Sequence, residues 1–209
     1  LPDAQVVAVA DIDPARRRGD ISTVWGNIGN SDNSIPLDFS QVRTYASGLE
    51  LIQQAEVDMI DICVPTPWHK EFIVAALAAG RHVFSEKPLC RDLAQMEEIV
   101  AAVKASGKFF NVGLCIRAWP EYRHARQMYR AGKFGALKCA TFRRFSPTAD
   151  GGGAWENWFC KFDLCGGALL DMHMHDADAV RYFFGPPKAV TAFGAKGLRS
   201  DCSVDHVVA

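Results

Sequence analysis

The stretch "GGALLDMHMHDADAVRYFFG", residues 166–185, sets Asp171, His173, His175, Asp176 and Asp178 in an otherwise apolar run. Two chemistries fit. On a strand, His173 and His175 point to one side and offer a divalent metal two imidazole ligands. On a helix those two diverge, while Asp171, His175 and Asp178 fall at i, i+4 and i+7 on one face. A carboxylate one turn before a histidine fixes its tautomer and raises its basicity, which suits general acid/base work near neutral pH. The apolar spacing runs from Ala168 and stops at Gly185, so a helix is expected, with His173 in a packing or capping role.

Two further segments carry reactive groups. In "FSEKPLC", Glu86 and Lys87 follow directly on an apolar run that reads as a strand, at the carboxyl edge where open α/β sheets bind ligands. Pro88 restricts Lys87 to extended conformations and keeps a helix from starting there. A lysine fixed at that edge can donate to a substrate hydroxyl, or transfer a proton if desolvation lowers its pKa; the plain alternative is a surface pair in a strand-to-helix turn. Asp11 closes "QVVAVADID", where a dinucleotide fold places the acid that binds the adenosine ribose hydroxyls about 20 residues after its glycine-rich turn. An acid at a strand end is also an ordinary solvated turn residue. Counting back from Asp11 runs off the chain, so the first strand and the phosphate-binding turn are expected upstream of Leu1.

The elements that position these groups alternate. "QVVAVADID" and "VDMIDICV" read as strands buried on both faces, with "PTPWH" a turn after the second. "KEFIVAALAAG" reads as a helix closed by Gly80, "RHVFSEKP" as a strand, "LCRDLAQMEEIVAAVKASG" as an amphipathic helix closed by Gly107, and "KFFNVGL" as a strand. Residues 19–40, dense in Gly, Asn, Ser and Asp, read as a long loop. This order predicts an α/β fold, a Rossmann-like parallel sheet with helices on both faces, over residues 1–117. Residues 118–209 are expected to form a second, truncated α+β domain with a mostly antiparallel sheet. In it "PEYRHARQMYRAGKFG" reads as a helix ending near Gly132, "ALKCATFRRFS" as an antiparallel strand, "AVTAFGAKG" as another, and the glycines at 151–153 with "AWENWF" as a loop. "DHVVA" starts a strand with no visible partner.

Bulk properties narrow the partners. The 209 residues carry 23 basic and 24 acidic side chains spread along the sequence, which gives no broad attraction to nucleic acid or to anionic membrane. Seven cysteines form no Cys-x-x-Cys pair and no zinc spacing, so reduced, mostly buried thiols are expected and no metal is assigned. No apolar run reaches about 18 residues and the start lacks the order of a signal peptide, so a cytoplasmic protein acting on a small molecule is expected.

Four features in order, "VAVADIDP", "VPTPWH", "EKPL" and "GGALLDMHMHDAD", resemble the oxidoreductase family of glucose-fructose oxidoreductase, inositol dehydrogenase and the rhizopine catabolism protein MocA. "LCIRAWPEYRHARQMYRAGKFG", with Arg117, Pro120, Gly132 and Gly135, also resembles that family's link between its two domains. The resemblance implies hydride transfer between a sugar or cyclitol hydroxyl carbon and nicotinamide. It makes Asp11 the ribose-binding acid, puts Val64, Pro65, Thr66 and His69 along the adenylate and ribose side of the cofactor, and sets Glu86 and Lys87 beside the nicotinamide. Lys87, Asp171 and His175 become the catalytic trio, the family differing over whether lysine or histidine takes the proton. It further implies a homo-oligomer, dimer or tetramer, assembled through the C-terminal sheet. Asp11 followed by Ile12 and Asp13, with no arginine before Arg16, favours NAD over NADP, because a second acid repels a 2'-phosphate.

Two other readings compete. "LLDMHMHDAD" also resembles the strand-end Asp-x-His-x-His of amidohydrolases, with His173 and His175 on a metal. That motif belongs on the first strand of a barrel of about 250 residues, whereas only 34 residues follow His175. A non-catalytic relative that keeps the scaffold is the other, and the complete trio argues against it.

Overall fold

In the computed structural model, residues 3–22, 36–144, 161–167, 169–195 and 206–209 are described. The first unit is a run of short parallel strands joined by helices. β1 (Ala8–Ala10) leads through α1 (Pro14–Arg17) to β2 (Arg43–Tyr45), which pairs parallel to it with Ala8 opposite Arg43. Asp13 caps α1 through its carboxylate on the Ala15 N–H at 2.7 Å, and Pro14 supplies the helix-ready φ of its first position. α2 (Gly48–Gln54) follows, capped by Ser47.

β3 (Met59–Ile62), β4 (His82–Ser85) and β5 (Phe110–Val112) form a second parallel ladder, connected by α3 (His69–Ala78) and α4 (Leu93–Ser106). α4 begins where the Asp92 carboxylate accepts from the Gln95 N–H at 2.9 Å, and it ends where Gly107 takes φ +63°. The register aligns Ile62 with Ser85 and Ser85 with Val112, so the loops leaving these three strands emerge side by side. Ile60, Ile62 and Val83 meet Ile73, Ala76 and Leu77 of α3 and Ile99 of α4 in a core whose members are at most 9% exposed. Burying such side chains stabilises the unit by about 1.5–3 kcal/mol each against leaving them in water.

The two ladders share no hydrogen bond among the described residues. β2 and α2 come from residues 41–54, which the sequence reading left unassigned. Of the expected loop, residues 23–35 lie outside the described residues, and its flanks are pinned together by the Leu37 N–H on the Gly19 carbonyl at 2.8 Å. Gly19, at φ +91°, is required there, since a Cβ would collide with the Leu37 carbonyl oxygen.

A short 3-10 turn, Cys115–Ala118, leads into α5 (Pro120–Arg130), which ends ahead of Gly132 at φ +71°. After α6 (Phe162–Cys165), a π-helical turn over Leu169–His173 runs straight into α7 (Met174–Phe184), stopped at Gly185. β6 (Phe193–Ala195) pairs antiparallel with β7 (His206–Val208). "DHVVA" therefore has a partner, contrary to expectation: Phe193 lies opposite Val208. "ALKCATFRRFS" differs the other way, because residues 136–144 join no ladder among the described residues. Alternation marks a face that can be buried, but a strand also needs a neighbour's N–H and C=O groups. The glycine cluster and "AWENWF" lie outside the described residues. Among the described residues no helix is long and apolar enough to cross a membrane.

Candidate active site at the carboxyl edge of the parallel sheet

Three loops meet beyond Ile62, Ser85 and Val112 and are bonded to one another. The Glu86 N–H donates to the Ile62 carbonyl at 2.9 Å, and the Gly113 N–H to the Ser85 carbonyl at 2.8 Å, so the ladder continues one residue past each strand. His69 then ties two of the loops: Nδ1 lies 2.8 Å from the Pro88 carbonyl and Nε2 lies 2.7 Å from that of Val64. The ring is 1% exposed. Burial pushes its pKa below the ordinary value, against the two carbonyls and Glu86, which favour the charged ring. His69 thus braces the loop walls, the neutral ring donating its one N–H to one of the two carbonyls. Thr66, also 1% exposed, has a hydroxyl with no partner among the described residues.

Glu86 folds back so that its Oε2 accepts from the Lys87 N–H at 3.0 Å, and the peptide bond from Lys87 to Pro88 is cis. The Glu86 carboxylate also lies against Gly113, where an added Cβ would sit 3.2 Å from both of its oxygens. The Lys87 side chain crosses to the helical segment and donates to Asp171 twice, to Oδ1 at 2.9 Å and to the backbone carbonyl at 3.0 Å. The contact is mostly dry, with side-chain exposures of 19% for Lys87 and 4% for Asp171. An ammonium has three N–H donors, so one remains for another oxygen.

His175 is half-buried beside this pair, and its Nδ1 is a buried atom with no partner among the described residues. Burial pushes its pKa below the ordinary value; the Lys87 and Arg144 charges push the same way, against Asp171 and Asp176. These effects favour the neutral ring, which has one lone-pair nitrogen able to accept a proton. A positioned base with a free lone pair, a cation with an unused donor and a carboxylate aligning that cation can together take a proton from a hydroxyl and stabilise the oxygen left behind.

The helical expectation holds from Met174 onward, but the π-turn before it lies among the residues of interest, as such turns often do at functional sites. Asp171 and Asp176 are both buried, at 3% and 4% exposure. His173 is 3.9 Å from Asp176 through Nδ1, and among the described residues no group of three or more His, Cys, Asp or Glu side chains is arranged to hold a metal ion. Asp178 receives a two-pronged contact from Arg117, Nε at 2.8 Å and Nη2 at 2.6 Å, which joins α7 to the turn after β5. Arg144 grips Asp176 in the same way, Nε at 2.8 Å and Nη2 at 3.0 Å. The sequence reading missed that second fork; its signal was an acid directly after the histidine and the arginine pair of "FRRF".

At the other ladder, Asp11 stands just past β1, its Oδ1 accepting from the Asp13 N–H at 2.8 Å and its Oδ2 3.9 Å from Arg16. Cys63, beyond β3, is an exposed residue whose sulfur lies 3.4 Å from an Asp61 carboxylate oxygen; partial desolvation of the thiol and that carboxylate push its pKa up to about 12, which disfavours the thiolate.

Residues 1–114 match the family model described as the oxidoreductase family with an NAD-binding Rossmann fold, and residues 122–209 match that of its GFO/IDH/MocA C-terminal domain. Inositol 2-dehydrogenase 3 of Saccharopolyspora erythraea is 34% identical over 180 residues, covering 86% of this chain and 46% of that protein. A trans-1,2-dihydrobenzene-1,2-diol dehydrogenase of Xenopus laevis is 28% identical over 99% of this chain and 56% of its own. Among solved structures, scyllo-inositol dehydrogenase of Lactobacillus casei superposes with a TM-score of 0.63 at 26% identity, over 87% of this chain and 48% of that one. The chain spans about half the length of the curated relatives it matches.

Proposed function

The chain belongs to the GFO/IDH/MocA oxidoreductase family, and we propose that it works as an NAD-dependent dehydrogenase on a secondary hydroxyl of a sugar or cyclitol. The observation that carries this is the Lys87 to Asp171 contact of 2.9 Å at the carboxyl edge, beside a buried His175 nitrogen with no partner among the described residues. His175 takes the hydroxyl proton. The unused N–H of Lys87 faces the negative charge that grows on the oxygen, and Asp171 keeps that ammonium aimed and offsets its charge. NAD, when bound, supplies the hydride acceptor.

The residues present fit that cofactor. Asp11 would take the ribose hydroxyls through the oxygen not used by Asp13. The buried Thr66 hydroxyl is a polar group of the kind a bound partner satisfies, and Gly113 leaves the Glu86 carboxylate room that a side chain would fill. Val64, Pro65 and the backbone held by His69 complete that wall. NAD is favoured over NADP by the paired acids Asp11 and Asp13.

Inositol dehydrogenases among the relatives support a polyol substrate, and so does charge: each cation at the site already has its acid, Lys87 with Asp171 and Arg144 with Asp176, which suits a neutral molecule. Phe193 and Val208 on the C-terminal sheet, with Val190 just before it, are each at least 71% exposed, which supports assembly into an oligomer there; the compartment we propose is the cytoplasm. The test is a panel of cyclitols and aldoses with NAD or NADP, followed by reduced-nicotinamide absorbance. Turnover is expected with a neutral polyol and NAD, and strongly reduced in His175→Asn; activity only on uronates, or with NADP alone, would contradict the reading.

A further inference from the structure

Three acids in and just before α7 each receive a cation from a different segment. Lys87 reaches Asp171, Arg117 reaches Asp178, and Arg144 reaches Asp176. The first pair belongs to the reacting groups. The second fastens α7 to the turn after β5, with the arginine 46% exposed. The third, Arg144 on Asp176, lies outside the reacting groups. Asp176 keeps 6% of its side chain exposed, and Arg144 covers both its oxygens in a fork, the geometry that fixes orientation as well as distance. Asp176 is the next residue after His175, and the Arg144 charge is felt at the ring. The charges of both ion pairs act on His175, and its Nδ1 is hydrogen-bonded to neither.

Resting on the reading of His175 as the proton acceptor, we infer that Arg144 and Asp176 are its positioning pair: the fork anchors the helix backbone next to the histidine and holds two opposite charges in fixed balance beside the ring. An arginine alone there would keep the ring from accepting a proton, and a carboxylate alone would keep it from releasing one. The charges acting on the ring are Lys87 from the turn after β4, Asp171 from the π-turn, Asp176 on α7, and Arg144. Arg144 in turn feels Tyr122 of α5 and Cys115 after β5 electrostatically, while Asp176 has His173 Nδ1 3.9 Å from its Oδ2. Because the two members act on the ring with opposite sign, they can be separated by experiment, which a role in stability alone would not allow.

The test is a titration of the His175 ring by NMR on histidine-labelled protein, assigned against His175→Asn, with the pH profile of kcat/KM measured alongside. Arg144→Gln raises the ring's midpoint and Asp176→Asn lowers it, each by on the order of one pH unit. The double variant returns it close to the starting value and, holding no unpaired charge, guards against a fold too weak to measure. Arg144→Lys keeps the charge but loses the fork, so the midpoint stays while kcat falls about tenfold. Midpoints that do not move, or that move the same way in both single variants, overturn the inference, as does an unchanged kcat in Arg144→Lys. If the ring titrates as expected while the acid limb of kcat/KM stays fixed, the pair keeps its role and His175 loses that of base.

Discussion

Lys87→Met removes the cation from a carboxylate that is 4% exposed and has its Oδ1 only 2.9 Å from the lysine nitrogen. Breaking a buried ion pair from one side costs about 3–5 kcal/mol, because the remaining charge has lost its partner but not its burial. Lys87 retains 19% exposure, so water can follow it in part and the low end, about 3 kcal/mol, applies. For a chain of 209 residues that corresponds to a Tm lower by about 6–12 °C. Replacing both partners by apolar side chains, Lys87→Met with Asp171→Leu, leaves no stranded charge and should bring stability back to within about 1 kcal/mol, while turnover stays lost by about a hundredfold or more. Denaturant unfolding of the wild type, both single variants and the double variant gives the coupling directly. A single variant as stable as the wild type, or a double variant no better than the single, would refute the claim that these groups form a buried pair.

The other predictions concern the walls of the site and the helix between them. Asp11→Ala should weaken NAD binding by about ten- to a hundredfold, measured by calorimetry, and leave turnover at saturating cofactor nearly intact, since one lost charge-assisted hydrogen bond is worth about 1.5–3 kcal/mol. His69 and His175 both have pKa values below the ordinary 6.5, so the unfolded chain takes up protons there that the folded chain refuses. Stability is then full above about pH 6.5 and falls as pH drops through it; thermal melts should show that loss, and His69→Gln should flatten part of it while lowering Tm at neutral pH.

What the sequence disclosed, and what it withheld, follows from how local each signal is. Asp171 and His175 were legible because a helix period is local, and Lys87 because a charged pair ending an apolar strand before proline is a short pattern. Their convergence across 84 positions, from the turn after β4 to the π-turn, was implied by the family resemblance; spacing does not contain it. The fork of Arg144 on Asp176 was illegible for the same reason, with 32 positions between its members. β2 escaped notice because only Tyr45 of its three residues is buried, so it shows no apolar run. The strand expected at residues 136–146 had the right alternation, yet a ladder is a property of two segments, and "DHVVA" found its partner in Phe193–Ala195 by that same rule. His69 lies with its ring nitrogens 2.8 Å and 2.7 Å from the Pro88 and Val64 carbonyls, a bracing of two loops that its letter does not disclose.

The central claim is that Lys87, Asp171 and His175 act on the hydroxyl and leave the holding of NAD to other residues. Its most direct test is a single-turnover measurement of hydride transfer, with NAD affinity taken on the same samples, for the wild type, Lys87→Met and His175→Asn. The account predicts that both variants bind NAD within about threefold of the wild type and transfer hydride at least a hundredfold more slowly. Transfer at the wild-type rate in either variant, or an equal loss of binding and transfer in both, would contradict it.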